Sequence, residues 1–147
     1  MKKLLTAFFA VIAFTGTFAQ AGNYETDSKT AEEAIKKYAF KNNYKYFITY
    51  AEVKDASVAV TPTTDYLIFY VYNNSDHPAT TFKGYLMTPD NKLKTKYSAV
   101  PDDIGQTGLA RVQRLKFTTP KFASGKDKLP VKLEASPAAT IYVFYRK

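Results

Sequence analysis

The apolar positions of the chain change period twice, and each regime predicts a different element. The first is an apolar core of eleven residues from Leu4 to Phe14, interrupted only by Thr6, preceded by Lys2 and Lys3 and closed by Thr15-Gly16-Thr17. A positive end, a short apolar core and the small residues of Ala19-Gln20-Ala21 have the layout of a cleavable secretory signal peptide over residues 1–21. The mature chain then starts at Gly22, with Thr17-Phe18-Ala19 offering a second cleavage point and a start at Gln20. A bilayer-spanning helix needs about 20 apolar residues, so the run predicts export without a transmembrane anchor.

The second regime is helical. Residues 22–29 are polar and read as a flexible lead. Thr30 and Glu33 fit a capping box, in which the hydroxyl accepts from an early helical N–H and the carboxylate reaches back to the cap. Ala31, Ala34, Ile35, Tyr38 and Ala39 follow at helical spacing while Glu32, Lys36, Lys37 and Lys41 fall off that stripe. The prediction is an amphipathic helix of about three turns, ended by Asn42-Asn43 because Asn tolerates the left-handed conformation.

From Tyr44 onward the period is two. Tyr44, Tyr46, Ile48 and Tyr50 share one face of a predicted strand, and Val58 and Val60 mark a short second one before Thr61-Pro62. Tyr66 to Tyr72 is apolar or amphipathic on both faces, which predicts a central strand. Thr80 to Met87 and Lys92 to Val100 flank Pro89-Asp90-Asn91 and predict a hairpin, with Lys92, Lys94 and Lys96 at period two on its outer edge. Residues 101–110 lose the pattern and read as a loop or short helix. Arg111 to Thr118, Leu129 to Ala135 and Thr140 to Arg146 complete the predicted strands.

Seven or eight short strands after one helix predict a mainly β domain, an antiparallel β-sandwich with immunoglobulin-like packing. The alternative is α+β, with the helix packed on a curved antiparallel sheet. The narrow, Ala-rich helical stripe favours the sandwich, with the helix as an appendage.

Composition narrows the chemistry. Removing 21 of the 147 residues leaves 126, the size of a single domain over residues 22–147, able to bury a core without staples. The chain has no cysteine, which removes disulfides, thiolate metal sites, a Cys nucleophile and lipid attachment through Cys. Loss of Lys2 and Lys3 lowers the formal net charge from +8 to +6. Residues 22–80 hold six Lys against eight acids, whereas 81–147 hold thirteen Lys or Arg against five acids. That asymmetry favours an anionic partner, such as a surface polysaccharide, lipid headgroups or nucleic acid.

The remaining motifs carry little chemistry. His77 is the single histidine and precedes Pro78 in a turn; no Gly-x-Ser-x-Gly elbow accompanies it, and one His without Cys does not make a zinc site. Glu32-Glu33 and Asp102-Asp103 are neighbours in sequence, whereas glycoside hydrolysis needs facing carboxylates about 5 to 9 Å apart. Asp102 and Asp103 lack the alternating ligands of a calcium loop and read as a turn after Pro101. No Gly-rich phosphate cradle follows a strand, so neither a nucleotide nor another cofactor is expected.

Two surfaces are the candidate binding sites. One is a basic strip of Lys92, Lys94, Lys96, Arg111, Arg114 and Lys116, continuous if its two strands are neighbours. The other is an aromatic face of Tyr66, Tyr70 and Tyr72, joined by Tyr44, Tyr46 and Tyr50, which competes with ordinary burial of a good strand former. The expectation is a non-enzymatic, periplasmic or secreted binding domain that recognises a protein or an anionic envelope component through one of them. A carbohydrate-binding module, a small carboxylate-dependent hydrolase and a membrane wedge built on helix 31–41 are the alternatives, the last weakened by its Ala-rich stripe.

Overall fold

The computed structural model describes residues 23–123 and 125–147; the expected signal peptide and the Gly22 start lie outside the described residues. A helix α1 (Tyr24–Lys41) precedes seven strands: β1 (Lys45–Val60), β2 (Asp65–Asn73), β3 (Thr81–Met87), β4 (Leu93–Ser98), β5 (Val100–Thr107), β6 (Ala110–Thr118) and β7 (Leu129–Arg146). The protein is mainly β, and its strands form one antiparallel sheet nearly closed into a barrel. Nothing in the strand order β4-β3-β7-β2-β6-β5, with β1 added to β7, is specific to an immunoglobulin-like sandwich. Among the described residues no helix is long and apolar enough to cross a membrane.

The helix begins earlier than the capping box predicts. Asn23 is the cap, its side-chain oxygen accepting from the Thr26 N–H at 3.2 Å. Thr30 instead lies within the helix and turns its hydroxyl to the Thr26 carbonyl. Residues 24–29 are therefore helical: Glu25 and Asp27 oppose the positive end of the helix dipole, and Lys29 pairs with Glu25 one turn away. The far end is as read from sequence, with Asn42 as C-cap and Asn43 at φ 63°.

Strand β7 organises the sheet. Along one edge it pairs with β1 from Lys45↔Tyr145 to Val60↔Leu129. Along the other edge its first half pairs with β3 and its second half with β2. The two strands predicted at 129–135 and 140–146 are thus one, and so are the two predicted within 44–60. Both bend at the same level: Val53 opposes Ala139 but Asp55 opposes Glu134, so Ala135 to Ala138 face a single residue of β1. Pro137 lies in that bend, where its missing N–H breaks no ladder bond.

The bend folds two wings onto each other, β2-β6-β5 and β3-β4. Ala99 alone separates β4 from β5, so the chain steps directly from one wing to the other. Strand β5 covers residues 101–107 of the stretch 101–110 read from sequence as irregular, and it is an edge strand paired only with β6. Between the wings lies the larger core, which includes Ile68, Tyr70, Phe82, Leu86, Leu115, Leu133 and Ile141. Gly84 permits the close approach, since a Cβ there would sit 2.8 Å from the Leu115 Cδ2.

The helix covers the opposite face of β2, β6 and β7. Ala31, Ile35 and Ala39 are fully buried against Leu67, Phe69, Val71, Val112 and Phe144. Small side chains let the helix lie close, and burial of Ile35 contributes about 2 kcal/mol. Far from being an appendage, α1 closes a second core, which is why both faces of β2 are apolar.

Candidate functional site

The bend brings the two ends of β1 together with the two ends of β7. There Phe47, Ala59, Thr61, Tyr66, Lys128, Tyr145 and Lys147 line a pocket of about 230 Å³ at the mouth of the barrel. Phe47 reaches it through a bulge: Tyr46 opposes Phe144 and Ile48 opposes Val143, which leaves Phe47 as the extra residue. Bulges commonly re-aim a side chain in this way. Tyr46 consequently sits beside Phe144 on the helix face, whereas Phe47 sits against Tyr145, ring centroids 5.9 Å apart and nearly perpendicular. The shared face predicted for Tyr44, Tyr46, Ile48 and Tyr50 is broken at this point: Tyr44 packs under the helix, and Ile48 and Tyr50 pack on the inter-wing core.

The floor of the pocket is rigid. Tyr66 stacks on Phe117, which stacks in turn on Tyr97 at 4.4 Å, so a column of three rings ties the mouth to both wings. The Tyr66 hydroxyl accepts from the Thr61 N–H at 2.9 Å. Phe47, 44% exposed, remains open to a ligand.

The rim is cationic. Lys128 and Lys147 line the pocket itself, and Lys45 and Arg146 line an adjoining one of about 190 Å³ with Asn43, Tyr145 and Lys147. Arg146 is held in place: it donates to Asp65 at 2.7 Å and to the Asn42 carbonyl at 3.0 Å, and its guanidinium lies 4.5 Å over the Tyr44 ring. The Thr118 hydroxyl, with Arg146 second, holds the Asp65 carboxyl below the usual carboxylate range. On the other side a more open pocket of about 450 Å³ shares Thr61 and Lys147 and adds Pro62, Thr63, Thr64 and Asp127.

The predicted surfaces are distributed differently. Lys92 pairs with Asp90 at the hairpin turn, and a register shift between Leu86 and Met87 leaves Lys94 out of step with Lys96. Strand β4 pairs with β3, and β6 with β2 and β5, so the two basic trios are not on adjacent strands. Arg111 pairs with Tyr72 on the inter-wing face, while Arg114 and Lys116 pair with Phe69 and Leu67 on the helix face. Arg114 bonds Asp102 at 3.0 Å and the Tyr38 hydroxyl at 2.9 Å, which makes it part of the helix–sheet seam. The six cations therefore do not form one continuous strip.

The tyrosines of the aromatic face lie inside the fold. Tyr66, Tyr70 and Tyr72 are 3%, 0% and 4% exposed, because the β3-β4 wing folds over them. Tyr70 stacks on Phe82 at 4.9 Å and donates to the Lys83 carbonyl, and burial pushes its hydroxyl pKa up. Only Tyr66 reaches the mouth pocket.

Of the acidic pairs, Asp102 is in β5 and bonded to Arg114 instead of forming a turn, and the Asp103 side chain lies outside the described part. Glu32 joins an unpredicted group with Glu52 at the helix–sheet seam. Glu32 accepts from the Tyr142 hydroxyl and pairs with Lys36; Glu52 accepts from the Thr140 hydroxyl. Burial first, then the Glu52 charge, pushes Tyr24 up to about 12, and burial with Glu32 raises Tyr142. His77 sits in an exposed turn beside Asn74. Among the described residues no group of three or more His, Cys, Asp or Glu is placed to hold a metal ion.

Comparison with protein-family models and with curated proteins finds no match to this chain. The functional reading therefore rests on the geometry of the mouth. Phe47, Lys128, Tyr145 and Lys147 are absent from the sequence-derived candidates, since no periodicity marks a pocket that forms only when two strands bend.

Proposed function

We propose that this chain is an exported binding domain, retained in the periplasm or secreted, which holds an anionic envelope component in the mouth pocket without transforming it. The observation that carries this reading is the convergence of Phe47, Tyr66 and Tyr145 with Lys128 and Lys147 in one pocket. Apolar ring surface desolvates a ligand while nearby ammonium groups select its charge. In this reading the two wings serve as an immunoglobulin-like sandwich does, as a stiff framework that presents a site at one end.

The test is binding of the mature chain to envelope glycans, anionic lipids and acidic polysaccharides at low and raised salt. A Phe47→Ala/Lys128→Gln double variant should lose salt-sensitive binding, and a Lys92→Ser/Lys94→Ser/Lys96→Ser triple variant should retain it. Loss in the triple variant alone, or binding to none of these materials, would overturn the assignment. Export is checked separately by the N-terminal sequence of protein recovered outside the cytoplasm, expected to begin at Gly22.

A further inference from the structure

Resting on the binding role proposed above, we infer that the anionic envelope component is a lipid bilayer: the mouth pocket takes a headgroup while the nearby rings of Phe40 and Tyr46 enter the membrane interface. Exposure is the first argument. Phe40 is 54% and Tyr46 49% exposed, and with Phe47 they are three of the five large apolar or aromatic side chains that stand open among the described residues. All three fall within residues 40–47, where α1 ends and β1 begins. Phe40 and Tyr46 both meet the buried Phe144 ring edge-on, at 6.2 and 6.0 Å, so they form one patch on a fixed base. Phe47, next along the chain, joins that patch to the mouth pocket. Open apolar surface gathered in one place marks an interaction site.

Charge is the second argument. No Asp or Glu occurs between Glu33 and Glu52, whereas Lys37, Lys41 and Lys45 do, all three exposed and outside the ion pairs of the described residues. Lys37 precedes Phe40 by about one turn on the same helical face, and Glu33 is about two turns back. Asp65, which reaches this end through Arg146, is already bonded to that guanidinium. The third argument is the pairing of the two features. Rings at headgroup depth with lysine amines reaching the phosphates are the pattern of interfacial anchoring. A soluble polyanion would be held by the lysines and the pocket and would leave Phe40 and Tyr46 in water, so the open rings are what select a bilayer. The apolar stripe of α1 takes no part, since Ala31, Ile35 and Ala39 are buried in the second core. The docking element is the tip of the helix with the start of β1, on a domain that stays folded.

The chain has no tryptophan, so Phe40→Trp installs a single reporter in the patch. Mixed with vesicles of phosphatidylcholine and phosphatidylglycerol, this variant of the mature chain should show blue-shifted emission that brominated lipid quenches. Vesicles of phosphatidylcholine alone should bind at least about tenfold more weakly. In vesicle co-sedimentation Phe40→Ser should weaken binding about tenfold and Lys41→Ser/Lys45→Ser about thirtyfold, the second effect shrinking as salt is raised. Melting temperature should change little in either, because the replaced side chains are exposed. Binding that leaves the reporter emission unshifted, or that is indifferent to Phe40→Ser, would overturn the docking patch. Equal binding to phosphatidylcholine alone would refute the selection by charge. Binding to the glycans or acidic polysaccharides with none to vesicles would refute the bilayer and leave the mouth-pocket reading standing. Failure of vesicles and polymers alike would remove the binding role itself.

Discussion

Asp27 and Gly108 form a latch whose energetics can be worked out in advance. Asp27, in the first turn of α1, is 5% exposed, and its Oδ2 accepts from the Leu109 N–H in the β5-β6 turn at 2.9 Å. Gly108 sits directly beneath that carboxylate at φ 49°, and a Cβ there would lie 2.3 Å from the same Oδ2. Replacing Asp27 with Ala removes a hydrogen bond to a charged acceptor, about 2 kcal/mol. Replacing Gly108 with Ala adds about 1 kcal/mol for a left-handed alanine, and it also forces the carboxylate off Leu109, for about 3 kcal/mol in all. In the Asp27→Ala background the obstruction is gone, so Gly108→Ala should cost only the conformational part. The double-mutant cycle thus predicts a coupling of about 2 kcal/mol, read from urea unfolding followed by circular dichroism. Equal costs of Gly108→Ala in both backgrounds would refute the idea that the carboxylate is fixed by the turn.

Three further outcomes follow from the same contacts. Gly84→Ala places a methyl group against Leu115 in the inter-wing core and should cost about 1–3 kcal/mol through overpacking; an unchanged urea midpoint would show that the wings have room to part. Tyr24 has its pKa raised from 10.0 to about 12, so the folded state keeps a proton that the unfolded state releases. The associated stability is complete below about pH 10 and lost as pH rises through about 12; melting temperature should fall over that range, and less so in Tyr24→Phe. Asp65 has its pKa lowered from 3.8, so its contribution is present above that value and fades as pH falls below it; Asp65→Asn should flatten the acid limb of a melting curve series, and an unaltered limb would show that Thr118 and Arg146 do not hold the charge in solution.

Residues that follow a regular period announced their place in the sequence. Tyr66 to Tyr72 reads as central because Leu67, Phe69 and Val71 meet the helix while Tyr66, Ile68, Tyr70 and Tyr72 meet the other wing. Asn42-Asn43 and Pro89-Asp90-Asn91 act through local backbone preferences, which neighbours do not override. Other features depend on partners far along the chain. Pro101 to Thr107 looks irregular because an edge strand answers only to β6 and needs no continuous apolar stripe. Tyr44 to Tyr50 alternates cleanly in sequence, yet the bulge at Phe47 exchanges the two faces halfway. The burial of Tyr66, Tyr70 and Tyr72 follows from the fold-over of β3-β4, which alternation within β2 cannot reveal. Lys128, in a connection without any pattern, gains its place only when β7 bends.

Strand β7, which borders β1, β2 and β3 at once, has a kinetic meaning. Lys45 has to find Tyr145, one hundred positions later (145 − 45), and Asp65 has to find Arg146. Contacts of such separation bring slow folding, because long loops must close before any pairing is gained. Until β7 arrives, β1 has no hydrogen-bonded neighbour and β2 and β3 share no border. Until that late segment is in place, the β2-β6-β5 and β3-β4 wings are the largest hydrogen-bonded parts of the sheet that can form, and β7 joins them in one closing step.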